Sequence, residues 1–396
     1  MENFENSATA EIDEGLADID DGVAENQTQA EGFEEQIAAE TSDLERGRDE
    51  TTFSNRIAHR IHGLPVLDTV IVNPGSIFDR TKMVNAIVER MEQAGSIGYS
   101  WAIAQNGQLF DAGGMGDART QSEADPRPMR ARTRMVSASL AKPVCAVTIM
   151  KLVEDGAFKL SDAAYPLIAH RFPGAHSSLN QISVQDLLTH RSGFDGPGTL
   201  SAFPNTLENA LSGIPGLTER YENWNYWFLA HIVECVTGRP YVKVARQSVV
   251  LPMGCQTMTR HVDDDAPCLY YRAGESTQGR GWDNFTATAI GAYGWYANAI
   301  HWAKFMVHFR HDTVLSKQSR RRMLEWEGNR FGFRLWHGQA RGSYYGHGGD
   351  FNTGGRWFHG GVMGFPDGID AVLLTNSDHV SNPESVLISA YHAAYA

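Results

Sequence analysis

The chain is 396 residues long and 42% hydrophobic, enough to build a sizeable core in one large domain or two smaller ones. Its formal net charge of -13 is concentrated at the start, where residues 1–50 hold 17 of the 47 acidic and only 2 of the 34 basic side chains. The rest of the chain, with 30 acidic and 32 basic residues, is near neutral and presents no electrostatic footprint for nucleic acid.

Residues 1–60 are rich in Glu, Asp, Ala and Gln and poor in aromatics, a composition that buries too little apolar surface to offset the entropy of ordering. A disordered acidic tail is expected there, followed by one domain over residues 61–396. The opening stretch has neither a basic start nor a continuous apolar run, so neither a secretory signal nor a membrane span is expected, and cytoplasmic residence is. Between Phe78 and Ala94, Val84, Ile87, Val88 and Met91 recur at the spacing of an amphipathic helix. Next, Tyr99–Ala104 and Gln108–Ala112 flank Asn106-Gly107, a strong β-hairpin signal.

From Val144 to Val153 apolar residues cover nearly every face until Gly156, so a buried helix is expected to begin near Ser139. Pro143 fits because it falls in the first turn, where its missing N–H has no partner to lose. Helical stretches follow at Val184–Leu188, Trp227–Val236 and Ala299–Phe309. The end returns to strands at Arg356–Met363 and Ile369–Leu374 around the turn Pro366-Asp367-Gly368, and Glu384–Tyr395 makes a closing helix. The expected fold class is α+β, an α/β sandwich. An antiparallel sheet built from both chain ends (75–139 and 326–396) carries flanking helices and a mostly helical insertion at 140–325. Four cysteines, Cys145, Cys235, Cys255 and Cys268, show neither paired spacing nor disulfide-scaffold density, so free thiols are expected, with Cys145 in the core.

Three sequence-distant clusters carry chemistry. The single Ser-x-x-Lys of the chain, Ser139-Leu140-Ala141-Lys142, puts a hydroxyl and an amine on one helix face. Unpaired amides at the head of that helix can stabilise a developing oxyanion, and a buried amine needs a partner. Tyr221-Glu222-Asn223 offers a phenol and an amide on one side of an extended segment. His347-Gly348-Gly349 offers an imidazole at the start of a strand, with paired glycines that admit close approach of a ligand.

In this order the three clusters resemble the serine β-lactamase and penicillin-binding-protein-like hydrolases, in the branch with class C β-lactamases, D-aminopeptidases, DD-carboxypeptidases and related carboxylesterases. Matching stretches include Leu152–Gly156 with Leu160-Ser161-Asp162, Ile182–Gly193, Leu251–Gly254 and Leu373–Ser377, so the resemblance covers roughly residues 75–396. It implies a Ser139 acyl-enzyme, with the proton taken by Lys142 or Tyr221. Asn223 would orient Lys142 and the acyl amide, His347 would bond the phenol or substrate, and the amides of Ser139 and Asp350, beside Gly348 and Gly349, would hold the oxyanion. No cofactor and no metal is implied, and the partner would be a small-molecule or peptide substrate.

Two departures separate the chain from the β-lactamases of that family. His347-Gly348 stands where they have Lys-Thr, which grips the drug's carboxylate. Glu222 replaces a small residue in the second motif and would repel carboxylates if it faced the pocket. Esterase or peptidase activity is therefore ranked above β-lactamase or DD-peptidase activity, and above a non-catalytic binding protein, which would be expected to have lost Ser139, Lys142 or Tyr221. No Gly-x-Ser-x-Gly pentapeptide supports an α/β-hydrolase, and no phosphate loop supports nucleotide hydrolysis. The pairs His59/His62 and His308/His311 lack the glutamate of a zinc motif and are expected at the surface. Trp224, Tyr226 and Trp227 are expected in the core rather than in an acyl pocket.

Overall fold

Period-two alternation along the strands decides the layering, because each strand offers one apolar row to either face. The computed structural model describes residues 59–60, 78–195, 202–262, 264–282, 291–325, 331–339 and 341–395, so all but the last two positions of the acidic 1–60 segment lie outside it. Its helices are α1 (Arg80–Gln93), α2 (Ala141–Glu154), α3 (Val184–Leu188), α4 (Asn223–Thr237), α5 (Ala299–Arg310) and α6 (Pro383–Ala393), besides shorter ones. Its main strands are β1 (Gly98–Gln105), β2 (Gln108–Arg119), β3 (Tyr270–Arg272), β4 (Glu275–Arg280), β5 (Arg334–Gln339), β6 (Gly342–Thr353), β7 (Arg356–Gly364) and β8 (Ile369–Thr375). The central sheet runs β2-β1-β8-β7-β6-β5 with every neighbour antiparallel, which gives the expected α+β sheet drawn from both ends of the chain.

Alternate residues of the central strands feed two cores. Tyr99, Trp101 and Ile103 of β1 and Ile369, Ala371 and Leu373 of β8 pack with Met83, Val84, Ile87 and Met91 of α1 and Leu387 and Tyr391 of α6. Their neighbours Ala102, Val372 and Leu374 join the larger core that holds α2, α4 and α5. Side chains of Val, Leu or Ile size contribute about 1.5–3 kcal/mol each when fully buried, so a one-residue slip of β1 or β8 would unseat both layers.

Local chemistry sets the ends. The Asp79 carboxylate caps α1 by accepting the amides of Thr81 and Lys82 at 2.8 and 3.1 Å. Asn106 and Gly107 both have positive φ (51° and 80°), the conformation that a two-residue hairpin turn between β1 and β2 requires. β2 continues to Arg119, seven residues beyond its apolar run. Its glycine-rich second half is held by pairing with β1 and with Arg127–Pro128 rather than by burial. The long middle of the chain also contributes strands, since β3 joins β7 and pairs with β4.

Candidate active site

Ser139 lies in a 3-10 turn, Ala138–Leu140, that leads directly into α2, so the buried helix begins two residues after it. The turn is anchored on both sides. Ser137 donates its amide to the Trp295 carbonyl (2.9 Å), Gly294 donates to the Ala138 carbonyl (3.2 Å), and the Trp302 indole donates to Ser137 Oγ (3.0 Å). Ala138 adopts φ 47°, a left-handed conformation rare for a residue with a Cβ, which these anchors hold in place.

The Lys142 side chain is completely buried. Its Nζ contacts Ser139 Oγ at 3.1 Å, Asn223 Oδ1 at 2.9 Å and the Ala292 carbonyl at 2.7 Å, all neutral groups. Burial without a carboxylate partner pulls the amine down to about 7. A neutral amine has two N–H groups and one lone pair. Asn223 and Ala292 can accept the two hydrogens, which leaves the lone pair for the hydroxyl of Ser139.

The Tyr221 ring centroid lies 4.7 Å from Lys142 Nζ, and the side chain is 44% exposed, so its phenol is open to the pocket. Glu222 is extended, but Asn223 is the first residue of α4, which begins four residues earlier than its apolar run, so the extended segment expected over Tyr221–Asn223 stops before the amide. Glu222 does not face the pocket. It is buried, with Oε1 3.3 Å from Arg220 Nε, so the repulsion expected of it at the mouth is absent. Trp224, Tyr226 and Trp227 are core residues of α4, as expected.

His347 stands inside β6 rather than at a strand start, because the strand extends back to Gly342 through pairing with β5 and β7. Its ring centroid is 6.2 Å from that of Tyr221, and its Nδ1 bonds the Gly348 carbonyl. Gly349 is required sterically. A Cβ there would lie 2.7 Å from the Ser137 carbonyl and 3.1 Å from Leu140 Cγ, so only glycine lets β6 press against the serine turn. Gly348, one residue earlier, faces the other way and abuts the Glu384 carboxylate. Asp350 accepts a hydrogen bond from buried His359, its cross-strand partner, whose Nε2 is 3.0 Å from Asp378 Oδ1. Burial pulls that imidazole down, but the bonds to the two aspartates outweigh it and leave it above its ordinary value.

These residues surround a cavity of about 380 Å³ lined by Ser139, Tyr221, Asn223, His347, Gly348 and Asp350, with His190, Gly332, Phe333, Arg334 and Glu384 completing the wall. The last five escaped the sequence reading, and two of these bear most directly on the site. His190 is buried at φ 56°. Its Nδ1 accepts the Glu222 amide and Asn225 Nδ2, both at 3.1 Å, and its ring stacks on Tyr221 at 4.4 Å. It belongs to the Ile182–Gly193 stretch, the only signal that could have found it. Glu384, in the first turn of α6, carries no motif. The Ala292 carbonyl is a further omission, because a backbone acceptor has no residue signature.

Two histidine expectations need correction or fall away. His308 is buried rather than at the surface, on the core side of α5, with Nδ1 2.7 Å from Thr313 Oγ1, and burial pushes it down to about 4. His62 lies outside the described residues. All four cysteines are free, and Cys145 is buried against α4. Among the described residues no three His, Cys, Asp or Glu side chains form a metal-holding group, and no helix is long and apolar enough to cross a membrane.

Comparison with known proteins gives a consistent result. PbpX of Bacillus subtilis (strain 168), named among the penicillin-binding proteins, is 30% identical over 167 residues, which are 40% of this chain and 40% of PbpX. The chain therefore matches less than half the length of that relative. An octameric penicillin-binding protein homologue from Pyrococcus abyssi superposes with TM-score 0.66 at 22% identity, over 78% of this chain and 76% of that one. A D-stereospecific amidohydrolase from Streptomyces sp. superposes with TM-score 0.64 at 18% identity, over 80% of this chain and all of that one. At these identities the structures establish a shared fold. The Beta-lactamase family profile matches residues 83–388, which span the serine turn, the tyrosine motif and strand β6 together. The chain belongs to the β-lactamase family, whose members are in general serine hydrolases.

Proposed function

We propose that the chain hydrolyses an ester or amide through an acyl-enzyme on Ser139, as a carboxylesterase or a peptidase/amidase. The observation that carries this reading is the Lys142 amine, 3.1 Å from Ser139 Oγ, among neutral acceptors and at about 7. Such an amine is half deprotonated at neutral pH, where a general base works best.

The neutral amine takes the Ser139 proton as Oγ attacks the carbonyl carbon, and the oxyanion is held by the amides of Ser139 and Asp350. The proton then passes through the Tyr221 phenol to the departing alcohol or amine as the bond to it breaks. Water adds to the acyl-enzyme, giving one proton back to the same pair and releasing the acid with Ser139 restored. Asn223 keeps the amine aimed at Oγ. His347 hydrogen-bonds the phenol or the substrate.

A penicillin-binding or DD-peptidase reading stands second, favoured by the names of the relatives. Against it, position 348 offers no hydroxyl to a substrate carboxylate, and Glu384 occupies that space with a carboxylate of its own. Labelling by a fluorophosphonate probe, followed by a panel of p-nitrophenyl esters, D- and L-aminoacyl anilides and a chromogenic cephalosporin, tests both readings. Labelling and turnover are expected to vanish in Ser139→Ala. Undiminished labelling of that variant removes Ser139 from the chemistry, and rapid cephalosporin turnover reverses the ranking.

A further inference from the structure

The pocket wall beside the third motif has an electrostatic character that the catalytic reading does not use. Residues alternate sides along β6, so Gly349 meets the serine turn and Gly348 meets Glu384, which rises from α6 on the opposite layer. A Cβ at position 348 would overlap the Glu384 carboxylate. Glycine at 348 is therefore the opening through which that carboxylate reaches the cavity, and both residues line it.

No cation among the described residues lies within ion-pairing distance of Glu384. Its own backbone amide bonds the carboxylate, and the charged groups that bear on it are Asp350, Arg334 and His359. Asp350 adds a second negative charge to the same wall, and its carboxylate is occupied by His359. Arg334 lines the same cavity, but it is exposed, rests over the Trp336 ring 5.2 Å from its centroid and makes no ion pair with Glu384, so solvent screens its charge more than that of the buried carboxylate. Burial raises the Glu384 carboxyl above its usual range, and the charge of Asp350 adds to this, while the bond from its own backbone amide and the charges of Arg334 and His359 only moderate the effect. A carboxylate in this condition is stabilised by any cation that joins it and is raised further by an anion.

We infer that Glu384 selects acyl donors carrying a cationic nitrogen, such as a primary ammonium, a few bonds from the scissile carbonyl, and rejects donors carrying a carboxylate there. The reach is set by the strand. Gly348 and Asp350 are two residues apart, about 6.6–6.8 Å in extended chain. The selecting carboxylate, which abuts Gly348, therefore stands beside a point roughly two residue lengths along the strand from the amide assigned to the oxyanion. The inference rests on the serine-hydrolase reading, because it names the substrate class of that same pocket.

The test compares kcat/KM for three p-nitrophenyl esters of matched length: 4-aminobutyrate, its N-acetyl derivative and the glutarate monoester. Hydrolysis by Ser139→Ala is subtracted as background. Wild-type protein is expected to favour the cationic ester over the neutral one by about tenfold and over the anionic one by on the order of a hundredfold, equivalent to about 1.4 and 2.7 kcal/mol. Both ratios should fall toward one in Glu384→Gln. They should fall also in Gly348→Ala, where the new Cβ displaces the carboxylate. Ratios are internal to each variant, so partial misfolding does not imitate the result. Ratios near one in wild type, or ratios unchanged in both variants, overturn the inference while Ser139-dependent hydrolysis still stands. Hydrolysis of all three esters that persists in Ser139→Ala overturns the catalytic reading instead.

Discussion

Two buried cations in this molecule have opposite fates. Arg310, at the end of α5, meets Asp370 of β8 through two bonds, Nε to Oδ2 at 2.8 Å and Nη2 to Oδ1 at 2.9 Å, and Nη2 also reaches the Phe365 and Ile369 carbonyls. Burial alone would lower that guanidinium, yet the charge of Asp370 holds it above its ordinary value. Lys142 is completely buried, where Arg310 keeps an edge exposed, but it meets only neutral acceptors and falls to about 7. The difference shows that a carboxylate partner outweighs burial at Arg310, whereas burial without one prevails at Lys142. One site locks a helix to the sheet, and the other is where we propose that a base stands ready for proton transfer.

The largest expected effect breaks the second site. Lys142→Met removes the base without opening a void and should lower Ser139-dependent ester hydrolysis by on the order of 10³–10⁴ in kcat, read from initial rates. Retention of more than a tenth of the activity would remove Lys142 from the proton path. Asp370→Ala breaks the first site by leaving the Arg310 charge buried alone. It should destabilise the fold by about 3–5 kcal/mol in urea unfolding, and a loss below 1 kcal/mol would show that water replaces the carboxylate freely.

A third prediction follows from linkage. Folding lowers the Lys142 pKa from an unfolded value of 10.5 to about 7. Between these values the unfolded chain holds a proton that the native chain has released, so this site's contribution to stability rises with pH and its penalty is full below pH 7. The stability of Lys142→Met relative to wild type should therefore improve by about 1.4 kcal/mol for each unit of pH lowered from 10 to 7, and level off below. A difference independent of pH would mean that the amine keeps its proton in the fold. The same titration predicts that kcat/KM falls as pH drops through about 7.

The smallest effect sharpens the contrast by touching the frame around the lysine. His190 holds Tyr221 by ring stacking and accepts two N–H groups at Nδ1. Asparagine tolerates the left-handed backbone at 190 and keeps an acceptor near Nδ1, but it loses the ring. His190→Asn should keep its melting temperature within a few degrees while kcat falls by about fivefold to tenfold with KM little changed. Unaltered kcat would make His190 a purely structural residue.

Much of the scaffold was legible because its signals are local. The stripe Val84, Ile87, Val88 and Met91, the Asn106-Gly107 turn and the apolar run after Ser139 each state their own conformation within a dozen residues. Segments stabilised by neighbours were misjudged, as at the glycine-rich half of β2 and at the start of β6, where pairing across the sheet replaces apolar alternation. His308 was misplaced for a similar reason. A polar side chain is buried when a partner such as Thr313 waits inside, and the partner lies beyond any helical pattern.

For the candidate site, the sequence by itself determined which reactive groups exist and their order, since Ser139 and Lys142 share one helical turn and Tyr221, Asn223 and His347 lie in recognisable motifs. Only the tertiary structure decided their state. It sets Lys142 among neutral acceptors, turns Glu222 away, brings His190 under Tyr221 and admits Glu384 past Gly348. The reason is physical: a residue's identity is covalent and local, whereas its charge, orientation and exposure follow from atoms that are distant in sequence and near only once the chain has folded.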